Sequence, residues 1–131
     1  MLCVGLGQQA YAQRVIDDGS YRGIEWRLTS DGTMTFSGNG AIGDFNKYND
    51  ASPNTSDRPW QRQRQKVKRV VVENGITRVG NRALQGFSRL ESAVLAESVK
   101  SVGMWAFQNC EQLEEVSLPK GIKLETGAFR N

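Results

Sequence analysis

The side chain in this sequence best suited to covalent chemistry is Cys110, in the stretch "MWAFQNCEQ". A cysteine attacks as its thiolate, so it needs a depressed pKa or a neighbouring base. The usual base is histidine, and the 131 residues contain none. Without His the commonest neutral-pH acid/base and the commonest metal ligand are both missing. With only two cysteines, Cys3 and Cys110, neither a disulfide framework nor a four-cysteine zinc site can be built. Gly38, Gly40 and Gly43 reproduce the G-x-G-x-x-G spacing of a dinucleotide loop. No parallel βαβ unit surrounds them, so "SGNGAIGDF" reads as a glycine-rich bend. The Asp- and Asn-rich stretch 46–59, "NKYNDASPNTSDRP", lacks the D-x-[DN]-x-[DN]-G spacing of a calcium loop and reads as a polar surface loop. The carboxylates are scattered, and no nucleophile–base pair emerges. The sequence therefore predicts neither an enzyme nor a cofactor nor a metal.

Charge gives a second kind of candidate. The net charge is only +3, yet "RPWQRQRQKVKR" concentrates Arg58, Arg62, Arg64, Lys66, Lys68 and Arg69 with no acid among them. Such a run suits an anionic partner. It equally suits a solvated linker and strand edge whose charges discourage edge pairing. We read it the second way, and nucleic acid is not an expected partner, since Trp60 alone offers little surface for base stacking.

The first residues, "MLCVGLGQQAYA", run apolar and end in Ala10-Tyr11-Ala12. An A-x-A triplet after an apolar stretch is the mark of signal-peptide cleavage. Residues 1–12 are thus expected to be the tail of a secretory signal, with the exported chain starting at Gln13. No segment of the sequence is long and apolar enough to make a membrane-spanning helix.

What positions Cys110 is a repeat. The rows "VKRVVVENGITRVGNRALQGFSR" (67–89), "LESAVLAESVKSVGMWAFQNCEQ" (90–112) and "LEEVSLPKGIKLETGAFRN" (113–131) begin 23 residues apart. Val67, Leu90 and Leu113 share a column, as do Val70, Ala93 and Val116, and Val72, Leu95 and Leu118. Ile76, Val99 and Ile122 follow; then Val79 and Val102 precede Leu124, after a one-residue deletion. Ala83-Leu84, Ala106-Phe107 and Ala128-Phe129 close the pattern. The L-x-x-V-x-L run alternates with period two and predicts a short strand. A glycine turn, a second extended piece and one helical or 3₁₀ turn then return the chain. One such coil cannot bury enough apolar surface alone, so the coils must stack as a solenoid. Cys110 shares its column with Phe87, which makes it a small core residue.

The pattern L-x-x-V-x-L-P…I-x-x-V-G-x-x-A-F-x-x-C, carried here by "VKSVGMWAFQNCEQLEEVSLP", resembles the BspA-like leucine-rich repeats of bacterial surface and secreted proteins. The likeness extends upstream through "IEWRLTSDGTMTFSGNGAIGDF" and "RPW", covering about residues 23–131. Row one departs from it with Leu84 where the family favours Phe and Phe87 where it favours Cys. The resemblance implies a non-catalytic interaction or adhesion role at the cell surface and names no ligand.

The expected fold is α/β but β-rich: a leucine-rich-repeat solenoid of 23-residue coils behind an N-terminal β-hairpin cap. Residues 13–60 would form the cap and polar loop, and 61–131 about three coils, the last incomplete. The hairpin is predicted from Ile24, Trp26 and Leu28 facing Met34 and Phe36 across Asp31-Gly32. Trp26 and Trp60 are its candidate plugs. A protein ligand would meet the concave strand face, through Arg69, Ser92 and Glu115 in one column and Val71, Val94 and Ser117 in the next. A polysaccharide would want exposed aromatics, for which Trp105, Tyr48 and Tyr21 are the candidates. The third row has no polar coil after it in the sequence, so the chain is expected to be a fragment of a longer array or to associate end to end with another copy.

Overall fold

A computed structural model describes residues 13–45 and 58–130. The signal-like residues 1–12, Cys3, Tyr48 and most of the polar loop lie outside the described residues. Alternation dictates the first strands. Ile24, Trp26 and Leu28 are buried along β2 (Ile24–Thr29) while Glu25 and Arg27 are exposed. Met34 and Phe36 are buried along β3 (Thr33–Gly38). The two strands pair antiparallel, Trp26 opposite Phe36 and Leu28 opposite Met34. Their turn is closed by Asp31, whose carboxylate accepts from the Thr33 N–H at 3.1 Å and the Thr29 hydroxyl at 2.8 Å. Gly32, at φ +86°, supplies the left-handed step.

A strand that alternation did not predict, β1 (Val15–Tyr21), pairs antiparallel with β2. Arg22 and Gly23, both at positive φ (51° and 84°), make the two-residue turn between them. Its sequence, VIDDGSY, carries no period-two pattern because it is an edge strand with Val15 and Ile16 exposed.

From β3 onward the sheet continues in parallel. β5 (Arg69–Val72), β7 (Ser92–Leu95) and β9 (Glu115–Ser117) complete the order β1-β2-β3-β5-β7-β9. Arg69 pairs with Ser92 and Ser92 with Glu115, each step 23 residues, while Thr33 pairs with Arg69 across 36. A second sheet runs β10-β8-β6-β4, from β4 (Gly40–Ile42), β6 (Ile76–Val79), β8 (Ser101–Val102) and β10 (Lys123–Leu124). There Val79 pairs with Val102 and Val102 with Leu124, so the last step is 22 residues, the deletion read from the third row. Between the sheets lies one core that includes Val70, Val72, Ile76, Val79, Leu95 and Val102. Burial fades in the third row, where Val116 is 36% and Leu124 47% exposed. Those side chains have a coil on one side only among the described residues.

The segments returning the chain to the next strand keep single 3₁₀-type turns, Ala83 N–H to Gly80 and Gln85 N–H to Arg82 at 3.2–3.3 Å, without building a helix. Residues 81–86 and 104–109 are turns whose alternate N–H groups point at the neighbouring coil: Arg82 to Met104, Leu84 to Ala106 and Gly86 to Gln108, at 2.8–3.0 Å. A helix cannot form while those donors bond sideways, and the left-handed Arg82, Trp105 and Asn109 (φ 57–61°) interrupt one further. The single 3₁₀ helix among the described residues is Gln61–Gln63. Among the described residues the fold is β-rich with almost no helix.

Arg58 and Trp60 meet this stack at the hairpin side. N–H groups of each return segment donate to carbonyls of the following coil. Past Asn81, which takes the Phe45 N–H at 2.9 Å, the first coil's carbonyls therefore lack main-chain donors from a preceding return segment. Side chains replace them. Arg58 Nη1 donates to the carbonyls of Arg82 (2.9 Å), Ala83 (3.3 Å) and Gln85 (2.8 Å), and Trp60 Nε1 to that of Ala83 (2.8 Å). Arg58 is only 3% exposed, so the basic run is not wholly the solvated edge expected of it. Trp60 is fully buried among Phe36, Phe45, Tyr21 and Trp26, with ring centroids 5.0–6.4 Å away.

Candidate interaction surface

The outward face of the six-stranded sheet follows from the buried one. With Val70 and Val72 inward, Arg69 and Val71 point out; with Ala93 and Leu95 inward, Ser92 and Val94 do. The ladder sets Thr33, Arg69, Ser92 and Glu115 in one row and Arg27, Thr35, Val71, Val94 and Ser117 in the next. All six residues expected to meet a ligand thus share one face, and Val94 is 47% exposed.

Arg69 is fixed there. Its Nη2 donates to the Asp31 carbonyl at 2.9 Å and lies 3.6 Å from the Asp31 carboxylate, and its Nε reaches the Thr33 hydroxyl at 3.2 Å. Burial would raise the Asp31 pKa. The hydrogen bonds from Thr29 and Thr33, together with the Arg69 charge, outweigh it and hold the carboxyl below its ordinary value.

Two shallow grooves mark the face. One, of about 470 Å³, is lined by Ser92, Val94, Glu115 and Ser117 among others. The other, of about 530 Å³, lies over the hairpin, between residues such as Glu25, Arg27, Thr35, Ser37 and Glu73. All of these last residues but Glu73 escape a repeat-based reading because they precede the first repeat row. Their signal was the alternation of β2 and β3, which leaves Glu25, Arg27 and Thr35 on the outward side.

The remaining candidates lie elsewhere. Trp105 belongs to a return segment and is half-buried: the Arg82 guanidinium sits 4.5 Å from its ring centroid, and Gly127 packs so close that an added Cβ would lie 2.7 Å from the indole. Tyr21 packs on Phe45 and Trp60 (5.4 and 6.2 Å). Cys110 is 2% exposed, and its thiol donates to the Leu84 carbonyl at 3.3 Å. Burial pushes its pKa up to about 12, which keeps it a neutral core thiol. At the far end of the stack an apolar depression of about 270 Å³ is lined by Phe107, Leu113, Val116, Leu118, Leu124 and Phe129 among others.

Comparison with known proteins agrees with this geometry. No curated protein matches the chain. Among solved structures, a leucine-rich repeat protein from Eubacterium ventriosum is 28% identical with a TM-score of 0.70, the match covering 79% of this chain. The chain spans 26% of that protein's length. A leucine rich cell surface protein from Faecalibacterium prausnitzii is 18% identical with a TM-score of 0.45, covering 86% of this chain and 34% of that one. The family described as "BspA type Leucine rich repeat region (6 copies)" matches residues 62–131, more than half of the sequence. The two parallel ladders, the 23-residue step and this match agree: the chain belongs to the BspA-type leucine-rich repeat family.

Proposed function

We propose that the chain is a non-catalytic interaction module, a solenoid of 23-residue coils closed at its N-terminal side by the hairpin and by Arg58 and Trp60. It would be secreted or cell-surface and bind protein. The carrying observation is the outward sheet face, where Arg69, Val71, Ser92, Val94, Glu115 and Ser117 stand in register with Val94 exposed and Arg69 held in place. A partner laid across the strands would meet the apolar Val71–Val94 strip flanked by charged and hydroxyl groups, the mixture usual at protein interfaces.

Family membership and Ala10-Tyr11-Ala12 support export; a mature chain beginning at Gln13, read by intact mass from the native host, tests that part. A polysaccharide partner is less well supported, because the Trp105 and Tyr21 rings are covered by Arg82 and by Phe45 and Trp60. End-to-end pairing with a second copy would use the apolar layer of Leu113, Val116 and Leu124. The test of the main reading is binding of the parent and Val94→Glu to a panel of extracellular-matrix proteins, beside a glycan array. Binding of matrix protein by the parent and its loss in Val94→Glu is expected; retention by the variant would refute the face.

A further inference from the structure

The edge where each strand begins carries a charge pattern that ligand binding at the sheet face engages only through Arg69 and Glu115. Main-chain bonds stack this edge coil upon coil: the Lys68 carbonyl accepts from Glu91 and Ser92, and the Glu91 carbonyl from Glu114 and Glu115. The same six positions read RQKVKR (64–69), FSRLES (87–92) and CEQLEE (110–115). The first coil contributes Arg64, Lys66, Lys68 and Arg69, a formal +4; the second Arg89 and Glu91, summing to zero; the third Glu111, Glu114 and Glu115, a formal −3. Asp31 already engages Arg69, which leaves three cations to face three acids. Lys66, Lys68, Arg89, Glu91, Glu111 and Glu114 are exposed. None of them enters an ion pair among the described residues, where Asp31, Asp44 and Glu125 take the arginines.

Adjacent strands lie about 4.8 Å apart, so the two signs are about 10 Å apart along the edge. We propose that this edge pairs with the same edge of a second copy, turned end for end about a two-fold axis. The first coil of each copy then faces the third coil of the other. The second coils meet on the axis, where Arg89 of one reaches Glu91 of the other and the reverse, as an isologous contact requires. An anionic polymer would satisfy the first coil but be repelled by the third, whereas an inverted copy complements all three.

Sedimentation of the full chain tests this. A concentration-dependent dimer is expected at about 20 mM NaCl, weakened at least about tenfold at about 500 mM as the charges are screened. The exposed double variants Lys66→Glu/Lys68→Glu and Glu111→Lys/Glu114→Lys should each lose the dimer while keeping the parent's circular dichroism. Mixing the two should restore association, because the acidic third coil of one then meets the basic first coil of the other. A monomer at every concentration in low salt overturns the proposal, whatever else the basic corner binds. So does a dimer indifferent to salt and charge reversal, which would point to the apolar layer instead. Failure of the mixture to associate would overturn the inverted arrangement.

Discussion

At the residue scale the decisive property is depth in the stack. Phe107 is fully buried and lies parallel to Phe129 with ring centroids 4.9 Å apart. Phe107→Ala should therefore cost about 3–5 kcal/mol, a large part of what so small a domain possesses. Urea unfolding would show it, and a loss under about 1 kcal/mol would contradict the burial. Cys110→Ser should cost less, about 1–2 kcal/mol, because a hydroxyl can keep the bond to the Leu84 carbonyl. The thiol also predicts a pH dependence. Its folded pKa is raised from 9.0 to about 12, so the folded state holds the neutral form while the unfolded chain ionises. Its contribution is complete below pH 9.0 and is lost as pH climbs toward 12. The stability gap between parent and Cys110→Ser should narrow over that interval; a gap flat with pH would mean the thiol is hydrated.

At the scale of elements, the repeat and the β2–β3 hairpin were legible because burial alternates with period two and Asp31-Gly32 is a strong turn signal. β1 was not, since an exposed edge strand imposes no pattern on VIDDGSY. The return segments keep only isolated 3₁₀-type turns, because every second donor bonds to a neighbouring coil, a partner that a local window does not contain. Arg58 was illegible for the same reason: its acceptors lie 24, 25 and 27 residues away. The outward columns of the candidate face could be read wherever the repeat supplied a register, and were lost over the hairpin, where the step is 36 residues. Two predictions belong here. Arg58→Met leaves buried carbonyls without those side-chain donors and should cost about 2–4 kcal/mol. Hydrogen exchange should lose protection first at the Arg82, Leu84 and Gly86 amides, before those of the third coil; uniform loss would deny Arg58 a local role. Gly80→Ala should also destabilise, by about 1–3 kcal/mol, because its new Cβ would lie 2.1 Å from the Gly43 carbonyl oxygen.

At the scale of the whole molecule, the layers must hold together, because a single coil buries too little to stand alone. Apart from the core, the Arg78 side chain ties the ends of the stack to each other. Arg78 Nη1 donates to Glu125 in the third coil at 2.6 Å and to Ser101 in the second at 3.0 Å. Its Nη2 reaches Asn81 at 3.0 Å and Asp44, beyond β4, at 3.4 Å. The hydrogen bond from Arg78, helped by its charge, holds the Glu125 carboxyl below its usual 4.5, and Glu125 raises the arginine in return. A depressed acid stabilises the fold above its unfolded pKa, so this contribution is present at neutral pH and fades as pH falls below 4.5. Asp31, also depressed, acts in the same direction, so acid unfolding should persist in part without Glu125. Glu125→Gln removes that contribution and is therefore expected to shift the acid midpoint of the parent upward, to higher pH, while leaving a residual transition. Arg78→Met, which also loses Ser101, Asn81 and Asp44, should shift it at least as far, and the double variant no further than Arg78→Met alone, because Glu125 acts through Arg78. The pair is partly exposed, so the shift should shrink in high salt. Circular dichroism from pH 7 to pH 2 would measure it. Additive shifts in the double variant would show that Arg78 and Glu125 act separately and that the stack is not fastened through this contact.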